Sequence, residues 1–430
     1  MKVVIMAGGK GTRIAQVTSE IPKPMIEIDK KPILEHQINC LVQQGFRDII
    51  ITVGYQQEVI INYFGDGSSL GANIKYFREE KPLGNAGALF ELKGELQEDF
   101  LLLNADAVFN IDLRRFVRFH KSHKGLVSIF THPNSHPYDS GIIVADDRHC
   151  VLQWLAKEDK RPEWYKNRVN AGIHIISHKI LKKKPDSDKV DLDRQLLKPM
   201  AGTGQMFCYD SPEYVKDMGT PERYEAVSRD YANGVVQLKS LKEKQKAFFL
   251  DRDGTINKYV GFLRNVEEME LIPGVAEAIK RINSSGYLAI VVTNQPVIAR
   301  GEVSFEGLEN IHNKMETLLG KEGAYIDAIY YCPHHPHSGY DGEIAELKKE
   351  CECRKPKPGL LLKAATDFNI ELSKSWMIGD SESDVLAGLS AGCQCVQIDE
   401  RYNLLNAVKD ILGVDEDETI SRERVRGTDI

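Results

Sequence analysis

Short runs of apolar residues alternate along the chain with stretches in which apolar and polar positions follow helical spacing. The first set of runs lies at Lys2–Met6, Asp48–Val53, Asn73–Phe77 and Phe100–Leu103, and Lys31–Gln44 is one of the amphipathic stretches between them. Pro32 falls in the first turn of that stretch, where its missing N–H costs little. A second set begins at Ala247–Leu250 and continues through Tyr287–Val292, Ile326–Tyr331 and Ser375–Ile378. The alternation is that of a mostly parallel sheet flanked by helices. It occurs twice, so the predicted fold class is α/β with two domains. A polar, lysine-rich stretch separates the sets, which predicts a first domain over 1–232, a linker over 233–246 and a second domain over 247–413. Residues 414–430 form a mixed-charge tail with little apolar content, a composition expected to remain without a packed core.

Length and composition bound this picture. At 430 residues, 42% of them hydrophobic, the chain has material for more than one core. The formal net charge is −7 and lysine and arginine are spread along the chain, which argues against a nucleic-acid surface. Small phosphorylated ligands need only a few cations in a cleft. The opening Lys2–Met6 run is too short for the apolar core of a signal peptide, and no apolar run approaches the roughly 18 residues of a membrane span. The expectation is a cytoplasmic protein with no membrane partner. Eight cysteines are sparse for a disulfide scaffold, and the clustered Cys332, Cys351 and Cys353 read better as metal ligands.

The first apolar run opens directly onto Gly8-Gly9-Lys10-Gly11-Thr12-Arg13. Glycines at Gly8, Gly9 and Gly11 let backbone N–H groups approach phosphate oxygens closely, and Arg13 and Lys23 supply charge for a triphosphate. Such a turn alone also serves tight packing between strand and helix. Here it is followed by Pro22-Lys23-Pro24, and the pair is more specific. Together with Gly54-Tyr55, the Pro82–Gly87 loop containing Gly84, Asn104-Ala105-Asp106, Asn170-Ala171-Gly172 and Asp217–Pro221, this order of motifs resembles the sugar-1-phosphate nucleotidyltransferases over about Lys2 to Tyr231. The resemblance implies a Rossmann-like domain. It implies that Asp106 and Asp217 hold magnesium, that Lys23 contacts phosphate and that Thr12, Asn170 and Gly172 belong to the substrate-binding loops. Attack of a sugar-phosphate oxygen on an α-phosphorus joins two anions, so cations and in-line placement are what the chemistry requires. Asp106 and Asp217 read equally as strand-end and Asx-turn residues when taken singly. Lys157 and Lys160 compete for a second phosphate-binding role. Asp191 and Asp193 suit either sugar hydroxyls or the first turn of a helix.

The second set contributes Asp251-Arg252-Asp253-Gly254-Thr255 at the end of an apolar strand, Thr293-Asn294 at the end of the next, Arg354-Lys355 further on, and Asp380 to Asp384 after a third. An Asp-x-Asp alone is often a loop or a calcium ligand. Four such motifs in this order resemble the haloacid-dehalogenase-like phosphatases over about Lys246 to Asp399. The resemblance implies that Asp251 attacks phosphorus and that Asp253 protonates the leaving oxygen and later activates water. Thr293 and Lys355 are expected to bind phosphoryl oxygens, with Asn294 and Arg354 contacting substrate. Magnesium is expected on Asp251, Asp380 and the Asp253 carbonyl, with Asp384 in support. A covalent intermediate divides a very high hydrolytic barrier into two steps.

Cys332-Pro333-His334 and Cys351-Glu352-Cys353 bring three thiols and an imidazole, the donor set of a closed structural zinc site, against the plainer reading of cysteines near a loop. His335 and His337 rival His334 from sequence alone. The pairing of Cys332 and His334 with Cys351 and Cys353 is similar to that of the heptose-1,7-bisphosphate 7-phosphatases and their histidinol-phosphatase relatives. The segment from His337 to Glu350 looks long and helix-like.

The N-terminal half resembles the heptose-1-phosphate and mannose-1-phosphate guanylyltransferases. The two resemblances imply one bifunctional nucleotide-sugar enzyme supplying an activated heptose for a surface polysaccharide such as lipopolysaccharide. Its partners are expected to be a nucleoside triphosphate, GTP by resemblance, and a phosphorylated sugar, with a homo-oligomer left open. Two rivals stand beside it: a hexose-1-phosphate transferase joined to a histidinol-phosphatase-like domain, and a chain in which one domain is a non-catalytic nucleotide-sugar sensor.

Overall fold

The structure is a computed structural model that describes residues 1–9 and 21–413. Gly11, Thr12 and Arg13 of the glycine-rich loop and the tail 414–430 lie outside the described residues. The chain divides into two compact units, one of 1–162 and 166–243, the other of 163–165 and 244 onward.

In the first unit the parallel strands Asn73–Arg78, Asp48–Val53, Val3–Ala7 and Phe100–Asn104 lie side by side in that order. Val169–Ile176 adds on antiparallel to Phe100–Asn104, and it in turn pairs with Val127–His132. The central strands read as unbroken apolar runs because both faces are covered. Val3 and Ile5 point into one core with Ile49, Ile51, Leu101 and Leu103, while Val4 points into the other with Ile50 and Leu102. The helix Ile33–Gln43 starts immediately after Pro32 and buries Ile33, Leu34, Ile38 and Leu41. The stretch expected as a linker contains the short helix Val235–Leu238. Its two valines and Leu241 are buried, and apolar residues at these positions keep this stretch packed in the first unit.

The second unit has five parallel strands in the order Ala328–Cys332, Leu288–Asn294, Ala247–Leu250, Trp376–Gly379 and Gln394–Gln397. Alternate residues of Ala247–Leu250 again enter opposite cores. The strand that comes first in sequence lies in the middle, so the chain turns to opposite sides of it, and in open sheets of this kind ligands bind beyond the C-terminal ends of the strands at such a switch point. Asp251 is the residue after the middle strand. The His337–Glu350 segment contains only the 3-10 turn Ala345–Leu347 rather than a long helix. The turn is held by tertiary bonds, Ile344 N to Ala299 O and His335 N to Leu347 O, which override the local helix preference. Among the described residues no helix is long and apolar enough to cross a membrane.

Candidate active sites

In the first unit, Val3–Ala7 delivers Gly8 and Gly9 to a cleft of about 840 Å³ that is also lined by Lys23, Gly84, Asn85 and Asp106. A Cβ at Gly8 would stand 2.7 Å from Glu79 Oε1, the movable end of a side chain. At Gly84, with φ +81, a Cβ would run into the Val190 backbone. Glycine is therefore required at Gly84 by space and by backbone conformation.

Asp106 and Asp217 are far apart in sequence and close in space. Tyr214–Asp217 pairs antiparallel with Ala107–Asn110, and Met218 N donates to Asp106 O at 3.1 Å. Each carboxylate has a cationic partner. Lys23 Nζ is 2.5 Å from Asp106 Oδ2, and Arg223 Nη1 reaches the two Asp217 oxygens at 2.9 and 3.0 Å. Gly219 N adds a third donor to Asp217. Burial pushes the Asp217 carboxyl up, but the Arg223 charge and hydrogen bonds outweigh it and hold the group below the usual range. Arg223 Nη2 also pairs with Asp139 at 2.6 Å. Sequence reasoning missed Arg223, although it lies in the first turns of the helix that Thr220 and Pro221 open.

Asn170 and Gly172 sit on Val169–Ile176, and Gly172 packs against the cleft-lining Asn104. Lys157 and Lys160 are exposed, and neither lines the cleft. Lys81 and Lys189 do line it, with nothing in their local sequence to flag them. Asp191 accepts from Arg194 N as the cap of Leu192–Leu197. Burial and the nearby Asp191 push the Asp193 carboxyl up to about 6.

In the second unit the three motif-bearing strand ends converge. Lys355 Nζ, itself buried, lies 2.7 Å from Asp251 Oδ1, 2.5 Å from Asp384 Oδ1 and 2.8 Å from Val292 O. Asn294 holds the lysine loop by a pair of bonds, its Nδ2 to Lys355 O and Lys355 N to its Oδ1, both 3.0 Å. Burial pushes Asp251 up to about 6; Lys355 opposes that shift while Asp384 and Asp253 add to it. Burial and the Asp384 charge also raise Asp380. Gly254 and Gly379 make room for this crowd, since Cβ atoms there would lie 2.1 Å from Asp380 Oδ2 and 2.2 Å from Asp384 Oδ2.

Asp253 is held by partners that the motif did not identify. The fully buried Arg252 reaches it at 2.8 and 2.9 Å, Asn257 Nδ2 at 3.0 Å and Gln295 Nε2 at 2.9 Å. Gln295 also donates to Thr293 Oγ1 at 3.0 Å, linking an expected phosphate-binding hydroxyl to the expected acid–base carboxylate. Arg354 Nη1 donates to His334 O.

Two donor clusters suit metal ions. Oxygens of Asp251, Asp380 and Asp384 lie within 4.8 Å of one another. Three carboxylates against the single Lys355 leave negative charge that a divalent cation would neutralise. Cys332, His334, Cys351 and Cys353 also converge within 4.8 Å. Their sulfurs are 3.3 to 3.5 Å apart, and His334 Nδ1 is 3.3 Å from Cys353 Sγ. Those spacings approach the edges of a tetrahedron built on metal–sulfur bonds of about 2.3 Å. Of the rival histidines, His335 is occupied elsewhere, with Nδ1 on His337 O and Nε2 on Arg300 Nη2.

Comparison with known proteins agrees with this division. Residues 2–234 match the nucleotidyl transferase family and residues 352–400 the HAD-hydrolase-like family. The mannose-1-phosphate guanylyltransferase of Mycobacterium tuberculosis is 29% identical over 56% of this chain and 67% of its own length. The D-glycero-beta-D-manno-heptose-1,7-bisphosphate 7-phosphatases of Yersinia pestis and Pasteurella multocida are 41% and 42% identical. They match over 35% and 34% of this chain and over 78% and 77% of their own lengths. The chain belongs to the nucleotidyl transferase family through its N-terminal unit and to the HAD-like phosphatases through its C-terminal unit. It is a bifunctional enzyme, nucleotidyltransferase and phosphomonoesterase in one polypeptide.

Proposed function

We propose that the C-terminal site removes the 7-phosphate of D-glycero-D-manno-heptose 1,7-bisphosphate and that the N-terminal site transfers GMP from GTP to the resulting heptose 1-phosphate. The observation that carries this reading is the pairing of relatives: one half resembles 7-phosphatases and the other guanylyltransferases, and a 7-phosphatase makes the kind of sugar 1-phosphate that such a transferase consumes. We place the enzyme in the cytoplasm.

In the phosphatase, Asp251 attacks the phosphorus and forms an aspartyl phosphate while the bond to the sugar oxygen breaks. Asp253 gives that oxygen a proton, then takes one from the water that releases inorganic phosphate and restores Asp251. Lys355 and the Thr293 hydroxyl hold the phosphoryl oxygens, and Asn294 and Arg354 contact the remainder of the substrate. Asp251, Asp380 and the Asp253 carbonyl would hold magnesium, which supplies charge neutralisation at the phosphoryl group. Cys332, His334, Cys351 and Cys353 would hold a structural zinc ion that fixes the Arg354-Lys355 loop. In the transferase, the sugar-phosphate oxygen attacks the α-phosphorus of GTP and pyrophosphate leaves. Lys23 and Arg13 balance phosphate charge, the Gly8, Gly9, Gly11, Thr12 and Gly84 loops approach the nucleotide, and Asn170 and Gly172 face the sugar phosphate. Asp106 and Asp217 would hold magnesium, which supplies charge neutralisation at the phosphates.

The test separates the sites. Asp106→Asn is expected to lower pyrophosphate release about 10²-fold or more and to spare phosphate release from the bisphosphate. Asp251→Asn is expected to abolish phosphate release and to spare pyrophosphate release when heptose 1-phosphate is supplied. Loss of neither activity would contradict the assignments.

A further inference from the structure

Val169–Ile176 is interrupted by a shift of register between Asn170 and His174, and the interruption brings their side chains together. Gly172 N donates to Asn170 Oδ1 at 3.1 Å. A backbone N–H can only donate, so the amide atom facing it is the oxygen. His174 Nε2 approaches the same oxygen at 3.0 Å. An amide oxygen has no proton to give, so Nε2 carries the hydrogen and the tautomer is settled.

His174 is fully buried, and its Nδ1 has no partner among the described residues. Burial holds the imidazole neutral and pushes it down to about 3. An apolar side chain would fill this place without leaving an orphaned nitrogen, as Ile173, Ile175 and Ile176 do on either side. The Asn170 contact is what an imidazole adds. With Oδ1 doubly bonded to the protein, Asn170 Nδ2 has no partner among the described residues, and Asn170 is only partly buried. Gly172, at φ +71, places this corner beside the cleft: a Cβ on it would lie 2.4 Å from Nδ2 of Asn104, which lines the cleft.

We propose that His174 is a positioning residue of the transferase, locking the Asn170 amide beside the cleft-lining Asn104 so that its NH₂ is left to donate to an oxygen of the sugar phosphate. This rests on the reading of Asn170 as a sugar-phosphate contact. It implies that the acceptor is a hydroxyl or phosphate lone pair.

The experiment measures pyrophosphate release from the full chain with D-glycero-α-D-manno-heptose 1-phosphate and GTP. Asn170→Asp keeps the oxygen that faces Gly172 and His174 and removes the NH₂. His174→Phe keeps the ring volume and removes the donor. Each is expected to raise KM for heptose 1-phosphate about tenfold, the size of one net hydrogen bond, with KM for GTP unchanged. His174→Gln, which retains an amide donor, is expected to recover most of the loss. An unaltered KM for heptose 1-phosphate in Asn170→Asp would overturn the proposal, as would a parallel rise in both KM values. An unaltered KM for heptose 1-phosphate in folded His174→Phe would equally overturn the proposal, and if His174→Phe fails to fold, His174→Met takes its place with the same expectation. An unaltered protein that releases no pyrophosphate contradicts the transferase reading itself, whereas a working one with an indifferent Asn170→Asp contradicts only the roles of His174 and Asn170.

Discussion

Lys355 shows how much of a site can rest on one side chain. Its ammonium group, nearly inaccessible to solvent, faces two carboxylates and a carbonyl, and a lone buried charge is among the costliest groups to leave unpaired. Lys355→Met would leave Asp251 and Asp384 facing each other without it. Phosphate release should fall about 10²–10³-fold and thermal stability should drop, while pyrophosphate release persists; unchanged phosphate release would contradict the role. Glu213 offers a test by pH. Its carboxyl accepts from Asp112 N, Leu241 N and Ser211 Oγ, yet burial outweighs these bonds and pushes it up to about 7. The folded chain thus keeps a proton that the unfolded chain releases near pH 4.3. The contribution of Glu213 to stability is full below about pH 4.3 and is lost as pH rises through about 7. The urea midpoint of the native protein relative to Glu213→Gln should decline from about pH 5 to pH 8; a constant difference would contradict the shift. Residue-level legibility followed chemistry carried by short motifs. Asp251, Asp253 and Lys355 were readable because spacing and strand ends marked them. Arg252, Arg223 and Gln295 carry no such mark: Arg252 pairs with the adjacent Asp253, a contact that no motif flags, and Arg223 and Gln295 reach carboxylates on other segments.

Among the elements, the segment from Cys332 to Lys355 carries the clearest dependence. Its ends converge at Cys332, His334, Cys351 and Cys353, and Arg354 and Lys355 follow the last of these directly. Chelation of zinc, or Cys351→Ser, should release the lysine loop and lower phosphate release at least about tenfold, since metal binding and folding are coupled in such loops. Pyrophosphate release should not respond, and metal analysis should find about one zinc per chain before treatment. A chelated protein with full phosphatase activity and no zinc would contradict this. The sequence pattern singled out the four donors that the structure brings together but misjudged the segment between them as helix-like. Glu343 accepts from Gly339 N and Tyr340 N at 2.9 and 3.0 Å, and Ile344 bonds to Ala299. These local bonds and the one to the remote Ala299 hold a turn where Ala345, Glu346, Leu347 and Lys348 favour a helix, and periodicity cannot see them. The central parallel strands were legible almost to the residue because both of their faces are buried and their apolar runs are unbroken, whereas the partly exposed edge strand Gln394–Gln397 was not predicted. Val235, Val236 and Leu241 are too few to form such a run, so their packing was hidden in a polar stretch.

The whole molecule joins two chemistries whose only necessary link is a diffusible sugar phosphate. An equimolar mixture of Asp106→Asn and Asp251→Asn proteins should therefore release both phosphate and pyrophosphate from heptose bisphosphate and GTP, each protein supplying the step the other lacks. A mixture that releases phosphate but no pyrophosphate would show that the intermediate does not pass between chains. The most direct test of the central claim uses the unaltered protein with magnesium, D-glycero-α-D-manno-heptose 1,7-bisphosphate and each nucleoside triphosphate in turn, measuring phosphate and pyrophosphate together. Phosphate is expected in every reaction and pyrophosphate with GTP. Phosphate without pyrophosphate for any nucleotide would contradict the transferase assignment, and neither product would contradict the heptose assignment as a whole.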